Sequence, residues 1–319
     1  MPLCARPTFG ARLLAIVCLC LSTGGAIGQP LRFFAVGDLP YYESEKRPLA
    51  DLLAAAAAQH PPFLVHLGDI KHGSAPCTDA NLVEMAALFR DQPVPVIYTP
   101  GDNEWTDCYR AAAGGLNPLT RLKRVREVFF DDPLVLRMTE LGVTRQGPEF
   151  PELAFFSHSG VMLVALHVVG SNNGFDRRRP EAVAELEQRE AANHALLRRA
   201  ITAAKGQGAR AVVLMFQANP LFERGSGPRG FRRLKADLNR LTAEFSGPVL
   251  VLHGDTHRFR RDHPLIDPAT GRPFERLTRV EVPGSPTVGG VWITVDPDAT
   301  EPVVAEPVYA VSLEALGER

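Results

Sequence analysis

Several things are scarce in this chain. Five of its 319 residues are cysteine, and Cys4, Cys18 and Cys20 all fall within the first twenty. Beyond them stand only Cys77 and Cys108, so at most one intramolecular pairing is available to the rest of the chain. Excess charge of either sign is missing: 35 Lys+Arg against 36 Asp+Glu leave a formal charge of −1. A nucleic-acid binder ordinarily carries a strongly basic domain, so no nucleic-acid partner is expected. After the first thirty residues no apolar run is long enough to cross a bilayer as a helix, which takes about 20 residues. Linkers and low-complexity tracts are also absent, which favours one large domain over two.

The first thirty residues read as an address. Arg6 and Arg12 precede an apolar run at 13–21, and small residues follow up to Ala26-Ile27-Gly28. A charged start, a short apolar middle and a small-residue cleavage site define a secretory signal peptide, expected here over residues 1–28. The competing reading is an uncleaved anchor or a buried N-terminal helix. The expectation is an exported protein, periplasmic or secreted, with one domain over residues 29–319. An oxidising compartment makes a Cys77–Cys108 disulfide the expected state of those thiols. It would tie the loop after Asp69 to the loop after Asp102.

What is abundant is one repeated phrase. Residues 31–36, 62–67, 95–100 and 248–253 are short, mostly apolar runs, and they end in Gly37-Asp38, Gly68-Asp69, Gly101-Asp102 and Gly254-Asp255. Such runs suit strands buried on both faces. Helical patterns at 48–60 and 79–90, the second with Thr78 as expected N-cap, separate the first three. Strands alternating with helices imply a largely parallel sheet, whose ligands bind beyond the carboxyl ends of the strands. Asp38, Asp69, Asp102 and Asp255 are therefore expected to converge at one sheet edge. Neighbouring carboxylates raise one another's pKa, and a metal ion relieves the repulsion. The alternative is four ordinary Gly-Asp turns, each Asp capping its own loop.

The pattern continues with a helix at 117–130, a hairpin from 153–157 and 161–169, and a long helix at 181–205. A strand at 209–216 leads into Gln217, and a helix follows at 231–245. Three C-terminal runs, at 280–282, 291–295 and 303–304, are expected to form an antiparallel meander.

With these motifs in order, the chain resembles the calcineurin-like metallophosphoesterases, the superfamily that includes purple acid phosphatases. The residues carrying the resemblance are Gly37-Asp38-Leu39-Pro40, Gly68-Asp69, Gly101-Asp102-Asn103-Glu104, Gln217 and Gly254-Asp255-Thr256-His257. The resemblance implies an α/β fold, a four-layer αββα sandwich of two mixed β-sheets with a dinuclear metal site at the C-terminal ends of the strands. It implies hydrolysis of phosphate esters. The metal ligands it implies are Asp38, Asp69 (bridging), Asp102, Gln217, Asp255 and His257. Several positions depart from the family: Pro40 stands for a ligand His, Asp102 for a ligand Asn, and Gln217 and Asp255 for two ligand His. Asn103 stands at the family's leaving-group acid. Oxygen-rich sites suit Mg²⁺, Mn²⁺ or Ca²⁺ better than Zn²⁺. One or two divalent ions are expected, with Mn, Mg, Ca, Fe and Zn all open.

Asn103 apart, leaving-group protonation falls to His72, His253 or water. Asn172 and Asn173, just past the strand at 161–169, are candidates for binding substrate oxygens together with Asn103, or simple turn formers beside Gly174. Arg177-Arg178-Arg179 is read as a solvated face or an anion contact. Trp105, Tyr41 and Tyr42 are read as core packing or pocket wall, and His167 as structural. The expected partner is a small phosphorylated substrate. The leading expectation is an exported metal-dependent phosphoesterase with an oxygen-rich centre. The alternative is a catalytically degenerate relative that acts as a binding module or holds a structural ion.

Overall fold

The structure, a computed structural model, describes Met1, residues 29–225 and residues 227–310. The expected signal peptide lies outside the described residues, Met1 excepted. Among the described residues, twelve strands and seven α-helices follow one another from Leu31 to Tyr309, with short 3-10 turns between them. The strands are β1 (Leu31–Val36), β2 (Leu64–His66), β3 (Val96–Tyr98), β4 (Thr144–Arg145), β5 (Ala154–His158) and β6 (Val161–Ala165). Then come β7 (Ala211–Met215), β8 (Val249–His253), β9 (Arg260–Asp262), β10 (Leu277–Glu281), β11 (Gly289–Val295) and β12 (Val303–Tyr309). The helices are α1 (Glu43–Ala57), α2 (Asp79–Arg90), α3 (Pro118–Phe130), α4 (Pro133–Leu136), α5 (Gly170–Asn173), α6 (Pro180–Gly206) and α7 (Arg232–Glu244).

Two mixed sheets result. One has the order β12-β11-β1-β2-β3, the other β4-β5-β6-β7-β8-β10-β9. Within the first, β1, β2 and β3 run parallel, while β11 and β12 are antiparallel to their neighbours. Alternation along the second sheet shows how the layers stack. Leu163, Val213 and Leu250 join the core shared with Phe33, Phe34 and Val65 of the first sheet. Their neighbours Val164, Leu214 and Val251 join a separate core with Leu196, Leu197 and Leu238 of α6 and α7. Period-2 side chains thus point inward to the facing sheet and outward to the helices. Leu49, Leu53, Leu82 and Phe89 of α1 and α2 cover the other flank. This is the αββα order implied by the resemblance.

Local chemistry explains the boundaries. α2 buries Leu82, Met85, Ala86 and Phe89, one face of a helix, with Asp79 in its first turn and Arg90 in its last. Thr78 occupies its N-cap position but makes no side-chain capping bond. Asn117 does cap α3, accepting from Leu119 N at 2.8 Å and Thr120 N at 3.1 Å. α1 starts at Glu43, earlier than expected, because Glu45 reaches back to Tyr41 N at 2.6 Å and also accepts from Ser285 Oγ at 2.6 Å.

One expectation is corrected. The C-terminal runs do not form one meander: β10 joins the second sheet parallel to β8, whereas β11 and β12 join the first. Alternation marks a strand without naming its partner.

If the two sheets pack as described, Leu163→Ala removes a wholly buried side chain between them. It is expected to cost about 2–5 kcal/mol by urea unfolding, and a loss below about 1 kcal/mol would contradict that packing.

Candidate metal centre

The carboxyl ends of both sheets meet at one crevice. β1, β2 and β3 deliver Asp38, Asp69 and Asp102, while β7 and β8 of the other sheet deliver Gln217, Asp255 and His257. The expectation of a single sheet edge is corrected here to a junction of two. The glycines serve chiefly by close approach: a Cβ on Gly101 would lie 2.0 Å from Asp69 Oδ1, and one on Gly254 2.2 Å from Asp38 Oδ2. Within the four Gly-Asp pairs the left-handed backbone falls on three aspartates and on only one glycine, Gly68. Asp38, Asp69, Asp255 and His257 have φ of 55°, 55°, 84° and 62°. Left-handed non-glycine residues are uncommon and cluster at sites where the surroundings over-determine them.

The carboxylates are served unequally. Asp69 Oδ2 accepts from Asn103 Nδ2 at 2.9 Å, Gln217 Nε2 at 3.1 Å and the Tyr41 hydroxyl at 3.3 Å, and its Oδ1 accepts from Asn103 N at 3.0 Å. Asp38 accepts from Asp255 N, Asp255 Oδ2 from Asn219 N at 2.8 Å, and Asp102 Oδ2 from Ser171 Oγ at 2.8 Å. Asp102 Oδ1 is buried and has no partner. A Cβ on Gly170 would lie 2.5 Å from that oxygen and 2.9 Å from Asp255 Oδ1, so the two oxygens crowd one point.

Desolvation and mutual repulsion act on this group. Burial, then Asp255, holds Asp38 well above the ordinary carboxylate range, and burial, then Asp102, does the same for Asp69. Asp255 is pushed up to about 7, by burial first and Asp102 second, and Asp107 likewise to about 7. Burial and the Asp69 charge raise Tyr41, so its phenol stays neutral.

Not every expected residue faces the crevice. His253 is fully buried, stacked on Phe216 with ring centroids 6.2 Å apart, and burial lowers it to about 3. It is neutral and closed off from solvent, so the leaving-group role considered for it is withdrawn. Asn172 and Asn173 are spent on the fold: Asn172 Oδ1 accepts from Gly230 N at 3.0 Å, and Asn173 Nδ2 donates to Gly230 O at 2.8 Å. The turn-forming reading replaces substrate binding for both. Asn103 uses both amide hydrogens on Asp69 and on Tyr41 Oη at 3.0 Å, so it has no proton or donor left for a substrate. Trp105 is core, His167 pairs with Glu152 at 2.8 Å, and Arg178 and Arg179 pair with Asp176 and Glu181.

Ser171 and Arg110 carry no signal in the sequence, and Tyr41, read there as core packing or pocket wall, proves to be a polar member of the site. The Tyr41 hydroxyl touches Asp69, Asn103 and, at 3.1 Å, His257 Nε2. Ser171 reaches Asp102. Arg110 donates from Nη2 to Ser171 Oγ at 3.1 Å and pairs through Nη1 with the buried Asp107 at 2.5 Å. His72 stands at the rim, its ring edge-on to Tyr41 with centroids 5.5 Å apart and its Nδ1 accepting from Ser74 N at 3.1 Å. The disulfide does join Cys77 to Cys108, with Cα atoms 5.8 Å apart, and so links the loop of His72 to that of Arg110.

The donor chemistry fits a hard cation on the Asp102 side, where an orphaned carboxylate oxygen and several uncompensated charges meet. Among the described residues no three carboxylate, imidazole or thiol groups form a ready cage. An ion there would lean on the Gln217 carbonyl and on water, as Mg²⁺-like ions do.

A layered αββα sandwich whose strand ends bring carboxylates, an amide and an imidazole to one crevice defines a class, the metal-dependent phosphoester hydrolases. The particular family follows from comparison. The model for the calcineurin-like phosphoesterases matches residues 31–259, and the chain belongs to that family. No curated protein sequence matches it. Among solved structures, a dimetal phosphatase from Danio rerio is similar with a TM-score of 0.52 at 14% identity, over 88% of this chain and 99% of that one. A purple acid phosphatase from yellow lupin seeds is similar with a TM-score of 0.52 at 12% identity, over 89% of this chain and 52% of that one. At such identities the likeness is one of fold. The family makes the chain a phosphoric ester hydrolase.

The raised carboxyls set a pH dependence. Asp255 and Asp107 titrate near 7 when folded against 3.8 when unfolded, so the stability of their protonated forms is lost as pH rises through 7. The buried His66 and His253, lowered to about 4 and 3, act oppositely only below about 6.5, where the unfolded imidazoles charge. In EDTA the melting temperature is therefore expected to fall between pH 6.5 and 8, and saturating Mn²⁺ is expected to flatten that slope. An unchanged slope with Mn²⁺ would count against a cation at these carboxylates.

Proposed function

We propose that this phosphoesterase is exported and works through an oxygen-rich centre that takes a hard divalent cation such as Mn²⁺ or Mg²⁺. The observation carrying the reading is Asp102 Oδ1, buried and unpartnered, with Asp255 Oδ1 facing the same point beside Gly170. Asp102 and Asp255, with Oε1 of Gln217 and water, would hold the ion. A bound divalent ion supplies a polarised phosphoryl oxygen and a water acidified towards neutrality. Export is supported by the charged, apolar and small-residue order of residues 1–28 and by the Cys77–Cys108 bond in the remaining chain.

The chain's own groups divide the remaining work. Arg110 is held on one edge by Asp107 and Ser171, which leaves further N–H groups for phosphoryl oxygens of a small phosphorylated substrate. His72 supplies the proton. A backbone N–H can only donate, so the bond from Ser74 N makes Nδ1 the acceptor and places the proton of neutral His72 on Nε2. From there it passes to the leaving oxygen.

The test is a panel of phosphomonoesters and diesters with Mn²⁺. Turnover is expected, stopped by EDTA, and Asp102→Ala is expected to lower kcat/KM by more than the roughly 10–100-fold that loss of an outer-shell partner costs. No turnover across the panel, with Asp102→Ala only lowering the melting temperature, would favour a structural ion instead. His72→Ala is expected to slow alkyl phosphates about a hundredfold while sparing p-nitrophenyl phosphate, whose leaving group needs no proton. Equal losses on both would remove His72 from that role.

A further inference from the structure

We propose that the centre is mononuclear: the Tyr41 hydroxyl closes the Asp69–His257 side of the crevice, and the one cation sits on the Asp102 side. The inference rests on the metal-dependent reading above, but its measurement does not need turnover.

The two sides differ in how their ligand atoms are used. A carboxylate offers about four lone-pair directions, and Asp69 receives three amide donors, from Asn103 N, Asn103 Nδ2 and Gln217 Nε2, with the Tyr41 hydroxyl 3.3 Å away. His257 Nδ1 lies 2.7 Å from Ser285 O, which only accepts, so Nδ1 carries a proton and, in the neutral ring, Nε2 keeps the lone pair. That lone pair meets the Tyr41 hydroxyl at 3.1 Å. One phenolic oxygen therefore lies 3.0–3.3 Å from Asp69, Asn103 and His257 together. An ion bound to His257 and Asp69 needs contacts near 2.0–2.2 Å and would occupy the space that oxygen fills. The residue just before it, Pro40, has no side-chain donor atom to add.

Across the crevice the balance is reversed. Among the described residues, Asp255 accepts from one backbone N–H and Asp102 from one hydroxyl, while Asp38 stands between the two sides, accepting from Asp255 N and lying 3.7 Å from His257 Nε2. Asp38 is wholly buried, Asp102 is 5% exposed, and Asp102 Oδ1 has no partner. Buried carboxylates with so few donors are neutralised by a proton or paired with a cation, whereas Asp69 already has its hydrogen bonds.

The probe is Mn²⁺ on the purified full chain, counted by elemental mass spectrometry and examined by electron paramagnetic resonance. One Mn²⁺ per chain with the six-line spectrum of an isolated ion is expected. His257→Ala is expected to keep that ion, and Asp102→Ala to lose it. Two ions with an exchange-coupled spectrum, or loss of the ion in His257→Ala, would overturn the proposal and leave phosphoester hydrolysis standing. No ion at all would overturn both readings. The wild-type count and spectrum decide the matter by themselves if a variant fails to fold.

Discussion

Burying several carboxylates in one crevice is the constraint on which the rest of this structure turns. Asp38 is wholly enclosed and Asp69 and Asp102 are at most 5% exposed, with Asp255 beside them. An isolated buried carboxylate is far too costly to keep ionised, so each must be neutralised, hydrogen-bonded or paired with a cation. The chain uses hydrogen bonds on one side, through Asn103, Gln217 and Tyr41, and leaves the other side open. Even the backbone submits to this demand, since three of the four aspartates sit at positive φ.

Much of the fold was legible in the sequence because period and punctuation are local signals. The strands ending at Gly37, Gly68, Gly101 and Gly254, and the helices of α2, α3, α6 and α7, follow from spacing alone. Sheet membership of the last three strands did not follow, because pairing depends on where the chain returns in space. The aspartates were visible as a repeated Gly-Asp, but the reason for the glycines was not. Gly101 and Gly254 let carboxylates pass close to the backbone. Tyr41, Ser171 and Arg110 carried no motif. A hydroxyl or guanidinium acquires its role from contacts 28 to 216 residues away, which no window along the chain reports.

The rim is built as a joined pair of loops. One carries His72 and Cys77, the other Asp107, Cys108 and Arg110, and the disulfide holds the two together. Lys71 stitches the first loop further by donating to His72 O at 3.0 Å and Ala75 O at 2.9 Å. The proton donor and the phosphate-facing cation of the proposed mechanism thus share one covalent brace, and such preorganisation lowers the cost of holding a substrate.

The crevice also belongs to neither sheet alone. Asp38 and the Asp255 backbone that meets it stand 217 positions apart, one on each sheet. A partly folded chain with only one sheet in place therefore owns no complete ligand set. An ion cannot act as a seed for assembly here. It arrives last, like a keystone, and rewards only the finished sandwich: by mass action it favours the state that binds it and ignores every intermediate that does not.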